Sequence, residues 1–262
     1  AGYAPLFGAW GGLGALTGYA DGPPVEMRHV MDHTVGLNAA LAVVAALHRR
    51  RATGHGALVD VAAREVASSL LGEAMLMASA GLQTGRTGND HPAMAPHGVY
   101  PAKGHDRWIS IAVRTDAEWR ALTRLMGQPR LSTDPRFAAV PDRLVNRRLL
   151  DTLVSDWTVT MPPDAAATLL QSAGIGAHAS WTAADIVADP HLGERGAIVE
   201  VTEPDGRGRA AVGAPMRLSK SPEIGIARGT PKLGEHEDYV FGELLCMSSS
   251  ERQELQDERV IY

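Results

Sequence analysis

The chain has 262 residues, 45% of them apolar and 21% charged, with a net charge of −5. That size and balance give ample material for a core, and there is no basic tract of the kind that binds nucleic acid or an anionic membrane surface. A single cysteine, Cys246, excludes an internal disulfide framework and a cysteine-built zinc site. In its run, LLCM, it reads as a small core residue.

The first residues, AGYAPLFGAWGGLGALTGY, start on Ala1 without a leading strand, which points to a fragment, a processed chain or one half of a split protein. No charged start precedes a short apolar run with a cleavage site, so no signal peptide is expected and the cytoplasm is the default. Gly12, Gly14 and Gly18 have a G-x-G-x-x-x-G spacing. A dinucleotide loop of that form follows a buried strand, and YAPLFGAW, with its proline, makes a poor one. Close helix packing is the better reading.

Met27 to Val61 is the stretch the rest is organised around. Asp32 stands where a helix should begin, as its N-cap, and Thr34 to Leu47 is almost continuously apolar or small. Arg49, Arg50 and Arg51 complement the negative end of the helix, and Gly54 and Gly56 end it before a strand at Ala57 to Val61. A helix apolar on nearly every face is expected to be buried. Its longest apolar run, Leu37 to Leu47, is too short to cross a bilayer, so no membrane is expected.

A second helix is predicted over Arg64 to Ala80, with Val66, Leu70, Leu71, Ala74, Met75 and Met77 toward the core. Gly81 to Lys103 is dense in Gly, Pro, His and Asn, and a loop of that length is either functional or a linker. A compact unit follows, with a strand at Trp108 to Val113 and a helix capped by Thr115 running through Trp119, Leu122 and Leu125. Asp134 to Phe137 reads as a turn, Asp142 to Val154 and Asp164 to Ala173 as helices, the second ended by Gly174 and Gly176. A short helix is expected at Ala183 to Val187. Strands at Ala197 to Thr202 and Arg209 to Val212 are joined by a Pro204-Asp205-Gly206 turn. The tail reads as two helices, Glu237 to Leu245 and a serine-capped Ser249 to Glu258.

The chemistry narrows by elimination. His91 with His97, and Glu235, His236 and Glu237, lack the i,i+4 spacing of a helical zinc pair, so no metal site is expected. Neither a G-x-S-x-G elbow nor a G-x-x-x-x-G-K-[ST] phosphate loop is present. Asp32 remains. It is either a plain helix cap or a carboxylate nucleophile, placed where the free amides of a helix start can stabilise charge developing beside it.

The run HVMDHTVGLNAALAVVAALHRRRATGHGALVDVAAREV resembles the family III CoA-transferases, a group that includes formyl-CoA and carnitine CoA-transferases and the related α-methylacyl-CoA racemases. GRTGNDHPAMAPHGVYPAKG, ADPHLGERGAIVEV, GAPMRLSKSP and PKLGEHEDYVFGELL carry the resemblance onward in the same order. It implies an α/β fold in which a large Rossmann-like domain, incomplete here, joins a small α/β domain in an interlocked dimer. Residues 1–80 would be the large-domain part carrying the nucleophile helix, 81–100 the active-site loop, 101–188 the small domain, and 189–262 the return to the large domain with the C-terminal helices.

The activity implied is transfer of CoA from an acyl-CoA thioester to a free carboxylic acid. Asp32 would be the nucleophile, forming first an aspartyl anhydride and then an aspartyl-CoA thioester. Asn89, His91, Pro92, Ala93, Met94 and His97 would line the substrate site, His91 to Met94 standing where some relatives have a mobile glycine-rich loop. CoA would be a substrate, with no permanently bound cofactor. The partners implied are acyl-CoA and an acid, and either a second copy or a chain supplying the N-terminal CoA-binding part. Two alternatives stand beside this reading. A racemase would also use Asp32, but its histidine falls on Tyr3, a poor base near neutral pH. The other is a non-catalytic assembly subunit of a paired transferase.

Overall fold

The computed structural model describes residues 2–27, 29–220, 225–226 and 228–261. Ala1, Arg28 and the Ser221-Pro222 end of GAPMRLSKSP lie outside the described residues. The fold mixes helix and sheet in two compact units, residues 1–180 and 181–262.

The first unit begins with α1 (Ala4–Gly11), which Pro5 helps to start and Gly12 ends in the left-handed region at φ 96°. A Cβ on Gly11 would overlap that of Ala67 in α3 (Ala63–Ser69), and Ser68 Oγ donates to the Gly11 carbonyl at 3.2 Å. The glycines here serve close packing, as their sequence context predicts. Ala4, Met31, Val66 and Ala67 form a small core with Phe7, Leu13, Val35 and Val61 around it.

The helix that carries Asp32, α2 (Val30–Thr53), differs from expectation in three ways. It starts two residues before Asp32, so Asp32 sits in the first turn rather than at the N-cap, which is His29 at φ 64°. Its apolar length is exposed: only Met31 is buried, while Leu37, Leu41 and Val44 are 68%, 69% and 63% accessible. The reason is one of length. At 1.5 Å per residue α2 is about 36 Å long, whereas α1 and α3 offer only about 12 and 10 Å of partner. Finally, its 24 residues carry helix beyond the apolar run on both sides, so by length and composition α2 is long and apolar enough to cross a bilayer, with mean hydropathy 1.5 over 18 residues. Core helices pass the same test. Gly54, at φ 75°, ends α2 as expected.

Residues 55–62 form no strand, since no other segment pairs with them among the described residues, and Leu58 is 95% exposed. The second predicted helix is broken into α3 and α4 (Glu73–Ser79) by Gly72 at φ 38°. Val66 is buried as predicted. Leu70, Met75 and Met77 are exposed, and no residue of α4 is buried.

The larger core lies between residues 95 and 175. Strands β1 (His97–Pro101), β2 (Trp108–Ala112) and β3 (Gly176–Ala179) form an antiparallel sheet in the order β1-β2-β3, with Tyr100 opposite Ile109 and Ile109 opposite Ala179. Strand β3, GAHA, was not foreseen: four residues without a β-branched side chain give no periodic signal. Packed beside the sheet are α5 (Asp116–Leu125), α6 (Val140–Val145), α7 (Arg147–Thr158) and α8 (Pro163–Ser172). Thr115 and Glu118 close a capping box on α5, and the helix predicted over Asp142 to Val154 is divided at Asn146. Trp119, Leu122, Phe137, Leu150, Val154 and Leu170 fill the interior together with Ile109 and Ile111.

Arg143 of α6 lies fully buried in that interior. Its guanidinium donates to the carbonyls of Ala95 (2.8 Å) and Phe137 (3.0 Å) and to Asp116 Oδ1 (2.8 Å), and stands 5.5 Å from the centre of the Trp119 ring. A buried charge needs this many partners. One side chain thereby ties the end of the long loop, at Ala95, to α5 and to the Asp134–Phe137 turn.

In the second unit, α9 (Ala183–Ala188) is followed by α10 (Pro190–Glu194), which Asp189 caps by accepting from Leu192 N at 2.7 Å. Strands β4 (Ile198–Thr202) and β5 (Gly208–Val212) pair antiparallel across the predicted turn. A π-helix spans Asp238–Leu244, and α11 (Ser249–Asp257) is capped by Ser248 with Glu251. Cys246 is exposed at φ 54° in the link between them, not buried as its sequence neighbours predict. The link has no apolar layer over it, since Leu244 and Leu245 are exposed as well.

Candidate active site

Two sets of residues are singled out by the sequence, and each can be built from its own element. Asp32 occupies the third position of α2, where backbone amides lack helical acceptors and the helix dipole favours negative charge. Its carboxylate is exposed, and among the described residues none forms a hydrogen bond or ion pair with it. Its neighbours keep the turn in place: Met31 anchors it in the small core, Thr34 Oγ1 donates to the Val30 carbonyl at 2.7 Å, and His33 Nδ1 lies 2.7 Å from the His29 carbonyl. The result is a carboxylate with its oxygens available and its backbone fixed.

The second set lies on the loop between α4 and β1, and the structure gathers it. Asn89 Nδ2 donates to the Tyr19 hydroxyl at 3.0 Å, and the Asn89 carbonyl accepts from His97 Nδ1 at 2.7 Å. The His91 and His97 rings stand 5.2 Å apart, and His91 Nδ1 accepts from Ala93 N at 3.0 Å. Pro92 and Ala93 are exposed, while Met94 is half-buried.

Arginines that sequence reasoning did not single out hold this loop. Arg86 donates to the carbonyls of Tyr19 (3.2 Å) and Gly22 (2.7 Å). Arg147, at the start of α7, pairs with Asp90 at 2.6 Å and donates to the His91 carbonyl at 2.7 Å. Tyr19, Arg86, Asp90, His91, Pro92 and Arg147 all line a cleft of about 750 Å³. A second cleft, of about 460 Å³, is lined by Asn89 and His97 with Ser110 and His178. Asp32 lines neither, and among the described residues no hydrogen bond or ion pair joins it to the loop.

Beneath the loop lies one unusual polar pair. The Tyr100 hydroxyl donates to Asp151 Oδ1 at 2.8 Å. Burial, with the Asp151 charge next to it, pushes the Tyr100 phenol well above its ordinary range. Burial also raises the Asp151 carboxyl; the nearby Asp90 charge adds to this, while Tyr100 and Arg147 oppose it. The four residues Asp90, Arg147, Asp151 and Tyr100 thus form one electrostatic unit between the loop and the larger core. No group of three or more His, Cys, Asp or Glu able to hold a metal ion occurs among the described residues.

The profile of CoA-transferase family III matches residues 1–237. This chain belongs to CoA-transferase family III. Both the first-turn Asp32 and the arginine-held loop fall within the family-matched residues. A probable CoA-transferase of Mycobacterium tuberculosis is 36% identical over 270 residues, covering 100% of this chain and 34% of the relative. The succinyl-CoA–D-citramalate CoA-transferase of Chloroflexus aurantiacus is 33% identical over 264 residues, covering 100% of this chain and 65% of its own length. A crystal structure of a CaiB/BaiF family protein from Brucella suis superposes with a TM-score of 0.81 at 31% identity, over 93% of this chain and 63% of the other. The mixed helix-and-sheet architecture is therefore the family III fold. The chain spans less than two thirds of the length of these relatives.

Proposed function

We propose that the chain takes part in moving CoA from an acyl-CoA thioester to a free carboxylic acid, with Asp32 as the nucleophile. The observation that carries this reading is the position of Asp32: an exposed carboxylate in the first turn of a long helix, inside a chain of CoA-transferase family III. Named relatives act on succinyl-CoA with D-citramalate or mesaconate, and on formyl-CoA with oxalate, so thioester exchange between carboxylic acids is the common chemistry.

The steps balance without any cofactor. An Asp32 oxygen attacks the thioester carbonyl, the carbon–sulfur bond breaks, and a mixed anhydride forms as CoA thiolate leaves. The thiolate attacks the Asp32 carbonyl, giving an aspartyl-CoA thioester and releasing the first acid as carboxylate. An incoming carboxylate attacks that thioester and makes a second anhydride. CoA thiolate then attacks the new acyl carbon, leaving as the product thioester and restoring Asp32. Covalent catalysis of this kind divides one difficult exchange into easier ones. Free amides at the start of α2 favour the negative charge that develops on each tetrahedral oxygen beside Asp32.

The rest of the assembly belongs to the same proposal. Residues 1–80 and 189–262 are parts of a large domain, 81–100 the active-site loop and 101–188 the small domain. The working unit is an interlocked dimer or a hetero-oligomer in the cytoplasm, in which further polypeptide supplies the contacts to the CoA nucleotide. Asn89, His91, Pro92, Ala93, Met94 and His97 contribute to the acyl site.

Replacement of Asp32 by Asn tests the nucleophile. It keeps size and polarity but cannot form the anhydride, so transfer should fall by at least about 10³-fold while circular dichroism and melting temperature stay put. Transfer at the wild-type rate in Asp32→Asn would leave the chemistry to another chain and favour an assembly role.

A further inference from the structure

Arg147, from outside the loop, holds its residues Asp90 and His91. Its two terminal nitrogens divide the work: Nη1 pairs with the Asp90 carboxylate at 2.6 Å, and Nη2 donates to the His91 carbonyl at 2.7 Å. The guanidinium is mostly enclosed, and Nε is buried with no hydrogen-bond partner among the described residues. Arg147 also stands one helical turn before Asp151 on α7, so the charge that grips the loop is the same one that offsets the buried Asp151–Tyr100 pair. Three acidic or phenolic groups, Asp90, Asp151 and Tyr100, therefore face one cation. Asp90, His91, Pro92 and Arg147 together line the cleft of about 750 Å³.

The loop itself has little to close it. His91, Pro92, Ala93 and Met94 are bulkier and stiffer than glycines, and Pro92 and Ala93 make no packing contact that buries them. A two-pronged arginine fixes both the position and the direction of a backbone segment, which a single point charge does not.

We propose that Arg147 is a positioning residue whose clasp on Asp90 and His91 keeps the loop seated, so that acyl intermediates are transferred rather than lost to water. The inference rests on the transfer reading above. Its chemical content is a partition. Water attacking the anhydride breaks the bond between the acyl carbon and the Asp32 oxygen, returns two carboxylates, and protonates the departed thiolate. The net result is thioester hydrolysis to acid, CoA thiol and one proton. With the loop forming part of the acyl site, as in the transfer reading, its seating excludes that water.

The experiment uses the full chain in its purified assembly with succinyl-CoA as donor. Transfer is read as exchange of isotopically labelled succinate into the thioester, hydrolysis as free CoA thiol released without added acid. In Arg147→Ala the ratio of hydrolysis to transfer should rise roughly tenfold, the loss expected for removing a hydrogen-bonded charge. Arg147→Lys should be intermediate, since it keeps the charge and loses the fork, and it carries the test if the Ala variant does not fold. An unchanged ratio in folded Arg147→Ala and Arg147→Lys, with both rates falling together, overturns the clasp alone and marks Arg147 as structural. A wild-type assembly that exchanges no label from succinate or from other acids overturns the transfer reading, and this inference with it.

Discussion

At the scale of single residues, a carboxylate and a buried guanidinium hold the two ends of the account: Asp32 in the first turn of α2, and Arg143 inside the larger core. Asp32 was legible because an acid before a long apolar run is a helix-start signal, and its first-turn placement differs from the expected cap by only three residues. Arg143 was not legible: inside PDRLV it reads as a surface charge, and only the folded chain shows it gripping Ala95, Phe137 and Asp116 from a fully buried position. Replacing it with Leu should lower stability by about 3–5 kcal/mol, because Asp116 and two carbonyls lose their partner, and chemical denaturation will measure it. Tyr100 carries a pH signature. A group whose folded pKa lies above its unfolded value adds stability below the unfolded value, about 10 for tyrosine, and loses it as pH rises beyond. Wild-type stability should therefore fall above about pH 10. Tyr100→Phe should cost about 1–3 kcal/mol at pH 7 by leaving Asp151 without its donor, and should show a shallower alkaline fall.

At the scale of elements, periodicity worked where an element has an apolar face packed within the chain. The helix α5, with Thr115 as cap and Trp119 and Leu122 buried, is as its sequence reads; β4 and β5 also pair across their predicted turn, although Val201 is the one buried residue of the two strands. It failed where burial was assumed. The helix α2 is apolar, but the elements beside it are too short to cover it, so Leu37, Leu41 and Val44 form an exposed stripe at i, i+4 and i+7. A strand at residues 57–61 was expected from composition alone, and composition does not supply a pairing partner. Loop residues Asn89 to His97 were legible as a group from their density of Gly, Pro and His, yet Arg147, which holds Asp90 and His91, and Arg143, which holds Ala95, come from far along the chain. Sequence carries no trace of such long-range pairs.

At the scale of the whole molecule, the exposed apolar faces set a physical demand. Tyr3, the N-cap of α1, and Leu6 and Trp10 within it are exposed at i, i+3 and i+7, and apolar surface of this kind marks interaction sites or association. Relatives are longer than this chain, and family III chemistry needs a water-excluding site. Leu41→Glu joins the two points. Because Leu41 is exposed within the chain, the substitution should change the stability of the chain by no more than about 0.5 kcal/mol, while native mass spectrometry should show the assembly weakened or lost. An unfolded Leu41→Glu chain, or an assembly of unchanged mass, would remove α2 from the interface.

The most direct test of the account is to trap the intermediate. The native preparation would be mixed with succinyl-CoA, quenched with borohydride or hydroxylamine, digested and mapped by mass spectrometry. The account predicts modification of the peptide holding Asp32, as the reduced alcohol or the hydroxamate, and no modification in Asp32→Asn. Label exchange that proceeds without modification at Asp32, or with the adduct on another carboxylate, would contradict it.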